Sequence, residues 1–285
     1  MRKLMSLFYL PLFWAFFILP PLFQDPTLPK IIPMGVLCLI AIGVSFLAEF
    51  FFPFHRDWNR SQNDFFRDFL LTLTNHFVTV AMVAVFYFLF KKLRVPTLDL
   101  WPHKIPVWTQ LIIVFVVGDA LMTFAHYLSH KSDFLWRFHS VHHSVKRLYA
   151  FNGLMRHPFH MVFQASCGLL PLLFLGMPNW MILFSGYFST IHFLLSHLNV
   201  DMKLGIFSRV FAFAPVHRLH HRPVRTKAVN YGVTLSIWDV IFGTFENEKA
   251  IGSHELGIGD YANYPKGYFG LLVVPFKGWK KTKPS

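Results

Sequence analysis

Acidic residues are scarce in this chain: 14 Asp and Glu stand against 27 Lys and Arg, and charged residues make up only 14% of the 285 positions. Glu49 is the only glutamate before Glu246. A soluble-type di-metal bundle, which draws bridging glutamates from several helices, is therefore excluded. Cysteine is scarcer still. Cys38 and Cys167 both lie in apolar runs and no CxxC occurs, which rules out a disulfide framework and thiolate metal sites. HExxH is also absent, which argues against a zinc hydrolase.

What is present is apolar. Hydrophobic residues reach 54%, aromatics 18%, and phenylalanine alone occurs 35 times. A soluble domain of this length needs more polar surface, whereas this mixture suits bilayer contact and interfacial anchoring. The net charge of +13 fits either nucleic acid or the cationic face of a membrane protein. The apolar runs decide for the membrane, and no nucleic-acid partner is expected.

Four apolar segments, roughly Leu4–Phe23, Ile31–Phe52, Phe69–Phe90 and Val107–Leu128, each approach the ~20 residues that a bilayer core requires. The first follows Arg2 and Lys3, but no small-residue cleavage site follows it, so it reads as a retained span and not a signal peptide. Pro158–Leu175 and Trp180–Ser196 are shorter and carry histidines. They form either a re-entrant hairpin or a full pair of spans. With the N-terminus cytosolic and that pair returning, 22 Lys and Arg fall on the cytosolic side and 5 on the other, as the positive-inside rule favours. The Lys91-Lys92-Leu93-Arg94 cluster is on the wrong side; it implies snorkelling at a helix end or a fourth segment that does not cross. The expected fold is all-α: a polytopic integral membrane bundle of four to six segments, with its histidines at the cytosolic face. It divides into N-terminal transmembrane helices (1–105), a histidine-bearing region (106–250) and a basic cytosolic tail (251–285), all of one integrated fold.

Three histidine clusters stand out: His126-Tyr-Leu-Ser-His130, His139-Ser-Val-His142-His143 and His217-Arg-Leu-His220-His221. Residues at i, i+3 and i+4 share a helical face, so HxxxH presents two imidazoles to one ion and HxxHH presents three. With 16 histidines in the chain, one HxxHH arises by chance about 0.05 times, and two copies plus HxxxH in fewer than about one chain in several hundred. Eight or more imidazoles exceed what one ion can take, so two ions with open positions are the simplest count. Imidazole alone permits Fe, Zn, Cu or Ni. Asp119, inside the fourth apolar segment and seven residues before His126, needs a partner there and is a candidate to support a ligand; Asp239 is a second such candidate.

These stretches resemble the sterol desaturase / fatty acid hydroxylase superfamily. The resemblance runs through Asp119, His126 to His130, Leu135 to Ser144, Arg156-His157-Pro158, Ser196-His197-Leu-Asn199, Val216 to His221, Asn230-Tyr231-Gly232 and Ile237 to Glu246. The last part looks most like bacterial sterol-desaturase-like proteins and alkylglycerol monooxygenase. The resemblance makes 106–250 a fatty acid hydroxylase-like catalytic region. It implies two iron ions, O2 as co-substrate, a membrane lipid as substrate (sterol, fatty acyl or alkyl-glycerol) and hydroxylation or desaturation of a C–H bond. It also implies His197 as an additional ligand, with His192 and His157 as weaker candidates and His160 as a residue particular to this chain. No cytochrome b5 domain is present, so a separate electron donor of cytochrome b5, ferredoxin or reductase type is expected. Arg218, Arg222, Arg225 and Lys227 read as a contact for anionic head groups or an acidic donor, or as an ordinary positive-inside face. A bacterial inner membrane is expected ahead of the endoplasmic reticulum.

The rival readings are a histidine-rich metal transporter or non-redox metal-binding protein, and a membrane haem protein. A transporter places ligands at mid-membrane with carboxylates. Haem ligands come singly from facing helices.

Overall fold

In lipid every backbone polar group must find its partner within the segment, so long Leu-, Phe- and Val-rich runs wind into helices. The computed structural model describes residues 2–19, 34–223, 225, 228–247, 256–259 and 263–277, and among these no strand forms. The helices in order are α1 (Arg2–Phe17), α2 (Met34–Phe51), α3 (Phe65–Tyr87), α4 (Val107–Lys131), α5 (Asp133–His143), α6 (Pro158–Phe174), α7 (Trp180–His197), α8 (Ala214–His220), α9 (Ile237–Phe242) and α10 (Tyr268–Val273). A π-helical turn, Phe88–Lys92, extends α3 and leaves Lys91 and Lys92 exposed at its end.

Three of these helices are long and apolar enough to cross a membrane: Met34–Phe51, Phe65–Lys92 and Val107–Lys131. The fourth apolar segment of the sequence is therefore of spanning length. The apolar parts of α1 and α6, Leu4–Phe17 and Pro158–Phe174, are shorter. At ~1.5 Å per residue a 17-residue helix covers ~26 Å, less than the ~30 Å hydrocarbon core. Residues 20–23 and 31–33 of the expected first and second segments, Lys30, Lys227 and, in the tail, residues 251–255, 260–262 and 278–285 lie outside the described residues. Leu39, Phe50, Phe77, Val80, Ile112 and Phe124 face outward from these helices. The protein is an all-helical integral membrane bundle.

The inner faces are fastened by polar ties. Glu49 of α2 accepts backbone N–H bonds from Ala150 (2.8 Å) and Asn199 (2.9 Å), joining the segment after α5 to the end of α7. Asp68 of α3 accepts from the Tyr149 hydroxyl (2.7 Å) and the Asn152 amide (3.1 Å). Arg147 forks onto Asp64 with two bonds of 2.8 Å, a bidentate geometry that fixes orientation as well as charge. Helices α4 and α6 meet where neither carries a Cβ: one added at Gly168 would lie 3.0 Å from the Gly118 carbonyl oxygen and 2.7 Å from Met122 Cγ. Small residues at such a crossing let membrane helices approach closely.

Candidate metal centre

The histidines sit at helix ends that converge. Helix α4 carries His126 and His130 in its last turns, and one residue, Ser132, separates it from α5. The Ser132 hydroxyl caps α5 by accepting from the Leu135 N–H at 3.3 Å, as serine at this position commonly does. His197 ends α7, while His217 and His220 lie in the short α8 and His221 caps it.

The nine imidazoles assemble into two buried groups, one of His126, His130, His139, His143 and His220 and the other of His142, His197, His217 and His221. Within each group the ligand atoms all lie within 4.8 Å of one another. Each HxxHH triplet is thus divided: His139 and His143 join one group and His142 the other, while His217 and His221 join the second and His220 the first. The expectation that a triplet serves one ion is corrected here. At ~100° per residue, positions i and i+4 lie ~40° apart, but i+3 and i+4 lie ~100° apart, so the triplet straddles two centres. The groups share a wall, where His143 and His221 stack at 4.6 Å between ring centroids.

In the first group His139 Nε2 lies 3.0 Å from His126 Nε2, 3.1 Å from His130 Nε2 and 3.0 Å from His143 Nε2. In the second, His197 Nε2 lies 3.1 Å from both His142 Nε2 and His221 Nε2. Nitrogens ~2.1 Å from a common cation and at right angles to one another sit ~3.0 Å apart, so these spacings fit corners of one coordination shell. The protonation pattern agrees. His142 Nδ1–H donates to the Met155 carbonyl (3.1 Å) and His197 Nδ1–H to the Phe193 carbonyl (3.1 Å). A carbonyl only accepts, so both Nε2 atoms turn lone pairs toward one another, a contact that a cation between them makes favourable. His126 donates likewise to Tyr231 O (2.7 Å) and His220 to Val229 O (2.8 Å). Such bonds set tautomer and ring orientation. Burial, reinforced by neighbouring imidazoles, holds His139, His142, His143, His217 and His221 well below the ordinary histidine range, and burial takes His220 down to about 4. Neutral rings are the form that binds metal.

Asp119 and Asp239 touch no clustered histidine. Asp119 accepts from the N–H groups of Thr234 (2.8 Å) and Leu235 (3.0 Å) and from Trp238 Nε1 (2.8 Å). Asp239 accepts from the N–H groups of Tyr231 and Gly232, both at 2.7 Å, and from the Thr244 hydroxyl (2.6 Å). The two carboxylates thus grip from opposite sides the loop whose Tyr231 carbonyl holds His126. A Cβ at Gly232 would lie 2.4 Å from Leu235 O and 2.8 Å from the Asp239 carboxylate, so the grip requires glycine.

His157 and His192 fall outside both groups. His157 Nδ1 caps α6 by accepting from the Phe159 N–H (3.2 Å), and its Nε2–H donates to Leu272 O (3.2 Å). His192 packs against the Phe213 ring at 5.0 Å. His160 faces the Ser129 hydroxyl at 3.1 Å and lies against the His139 ring at 4.4 Å. The basic group near α8 is largely committed to protein partners. Arg218 is buried and donates to Leu198 O and Val200 O, Arg222 pairs with Glu246, and Arg225 donates to His130 O and to Asp133; Lys227 lies outside the described residues.

Sequence reasoning missed the carbonyls of Met155, Phe193, Val229 and Tyr231, because backbone oxygens carry no residue signature. It also missed Gly153. A Cβ there would lie 1.9 Å from Phe193 O and 3.0 Å from His197 Nδ1. Gly153→Ala is expected to push the 150–153 turn off α7 and weaken metal retention by about 10- to 100-fold, as losing a ligand's outer support does. Metal analysis after dialysis against graded chelator checks this.

Residues 111–244 match the fatty acid hydroxylase family. The chain is 32% identical to ornithine lipid hydroxylase OlsE of Rhizobium tropici, over 87% of this chain and 77% of that protein. It is 29% identical to alkylglycerol monooxygenase of Caenorhabditis elegans over 50% of this chain and 28% of that protein. It is also 29% identical to sphinganine C4-monooxygenase 1 of Arabidopsis thaliana over 48% and 54%. No solved structure matches the chain significantly. The match covers the helices that deliver all nine imidazoles, and the relative matched along most of its length carries a lipid-oxidising name. This histidine-lined bundle belongs to the fatty acid hydroxylase family, an iron-dependent family within the sterol desaturase / fatty acid hydroxylase superfamily.

Proposed function

We propose that the protein is an O2-dependent lipid hydroxylase, with one iron ion held by His126, His130, His139, His143 and His220 and a second by His142, His197, His217 and His221. The observation that carries this reading is the meeting of nine buried imidazoles in two adjacent groups at the right mutual spacing. Bound iron supplies the O2 chemistry needed to oxidise an unactivated C–H bond, which side chains alone do not perform. The balance is one C–H, one O2, two electrons and two protons giving one C–OH and one water. The chain's own residues set the imidazole orientation through carbonyl bonds, keep the rings neutral and exclude bulk water by burial. Electrons come from a separate donor protein. The lysine and arginine distribution supports a site at the cytosolic face of a bacterial inner membrane.

The names of the relatives favour hydroxylation over desaturation, and ornithine lipid is the first candidate substrate. Expression in a bacterium that makes ornithine lipids is expected to yield a lipid one oxygen heavier by mass spectrometry. A product two hydrogens lighter assigns desaturation instead. An unchanged lipid profile from cells holding iron-loaded protein overturns the oxidative reading.

A further inference from the structure

A narrow pocket opens between the two histidine groups. His126 and His139 form its wall from one group, His142, His197 and His217 from the other, and Arg156 faces them. Arg156 is 8% exposed. Buried arginines elsewhere have charge partners: Arg147 has Asp64, and Arg218 feels Asp201 and Glu49. No carboxylate among the described residues acts on Arg156; burial alone shifts it, to about 10, so it remains a cation at neutral pH. Its Nη1 donates to Gln164 Oε1 at 2.9 Å, and its guanidinium lies 3.9 Å from the centroid of the Phe193 ring. These two contacts hold the plane of the fork. Its Nε is buried with no hydrogen-bond partner.

A buried cation without a counter-charge is costly unless something supplies one. The surroundings supply none. An imidazole offers no negative charge, and Asp119 and Asp239 spend their oxygens on the 231–235 loop and its neighbours. Metal cations would add to the positive field. A rigid guanidinium with free donors matches a carboxylate, which takes two parallel bonds from such a fork.

Building on the lipid-oxidation reading, we propose that Arg156 anchors a carboxylate of the substrate. The lipid oxidised therefore carries a carboxylate, and its reacting carbon lies within a few bonds of that carboxylate, against the imidazole wall.

The test is binding without turnover. Iron-loaded full-length protein in nanodiscs, kept free of O2, is titrated calorimetrically with N-octanoylglycine, its methyl ester and octyl phosphate. The acid is expected to bind at least ~10-fold tighter than the ester, since a charge-assisted fork is lost in the ester. Arg156→Met is expected to weaken the acid by roughly 10- to 100-fold with the ester unchanged. Arg156→Lys is expected to retain part of the preference, because it keeps the charge and loses the fork. Iron content and melting temperature show whether each variant is folded. If Arg156→Met does not fold, the acid–ester comparison on the unaltered chain decides alone. Equal binding of acid and ester, or undiminished acid binding by folded Arg156→Met, overturns the anchor. Tighter binding of octyl phosphate than of the acid overturns the carboxylate assignment. A chain that binds the acid selectively but oxidises no lipid sinks the hydroxylase reading and leaves the anchor standing. One that oxidises lipid without acid preference does the reverse.

Discussion

His139→Ala is expected to remove lipid oxidation altogether while leaving the helical bundle folded. His139 Nε2 is the hub of the larger group, 3.0 to 3.1 Å from the Nε2 atoms of His126, His130 and His143. Losing an outer hydrogen bond to a ligand already costs about 10- to 100-fold in metal affinity or activity. Loss of the ring at the hub of the group is therefore expected to exceed ~100-fold. The His139 ring is buried among other imidazoles and its Nδ1 has no hydrogen-bond partner, so the truncation takes no hydrogen bond from the backbone that shapes the fold. Iron per chain should fall, product should vanish, and the circular dichroism spectrum should stay helical. Retained oxidation at more than a tenth of the normal rate would remove this group from the catalytic centre.

The second large effect is expected from a residue that touches no clustered histidine. Asp239→Asn replaces an oxygen that accepts from a backbone N–H with an amide that cannot accept from both neighbouring amides. Of the Tyr231 N–H, the Gly232 N–H and the Thr244 hydroxyl, at least one then loses its acceptor. The loop that presents the Tyr231 carbonyl to His126 shifts, and metal affinity is expected to drop about 10- to 100-fold. Asp119→Asn acts on the other side of the same loop and should give a similar loss. Because both act on one element, the double variant should lose much less than the sum of the two in free energy. A fully additive double variant would show that the two carboxylates serve separate structures. Competition with a coloured chelator measures all three affinities.

Much of this site was readable from the chain. Spacing alone picked out His126, His130, His139, His142, His143, His217, His220 and His221, because i, i+3 and i+4 repeats on a helix have a geometric meaning. His197 came from the family resemblance. The partition of the triplets was not readable, since spacing gives the angle between side chains and not the position of the neighbouring helix end. Asp119 was singled out by the cost of a carboxylate in an apolar run; its partners lie 115 to 119 residues away in sequence, and periodicity is blind at that range. The arginines around α8 read as a basic surface, because pairing with Asp133, Glu246 and the carbonyls after α7 is a tertiary fact. Span count suffered from the same limit. The runs at 158–175 and 180–196 are apolar because they pack against the bundle as much as because they meet lipid.

The divided triplets have a further consequence. Helices α5 and α8 each lend rings to both groups, so neither centre can be completed without drawing in the scaffolding of its neighbour. Filling one should pre-order the other, and uptake should be steeper than two independent sites allow. In a titration with ferrous ion, half-filled chains should then be rare, and the protein should pass from empty to doubly loaded in nearly one step.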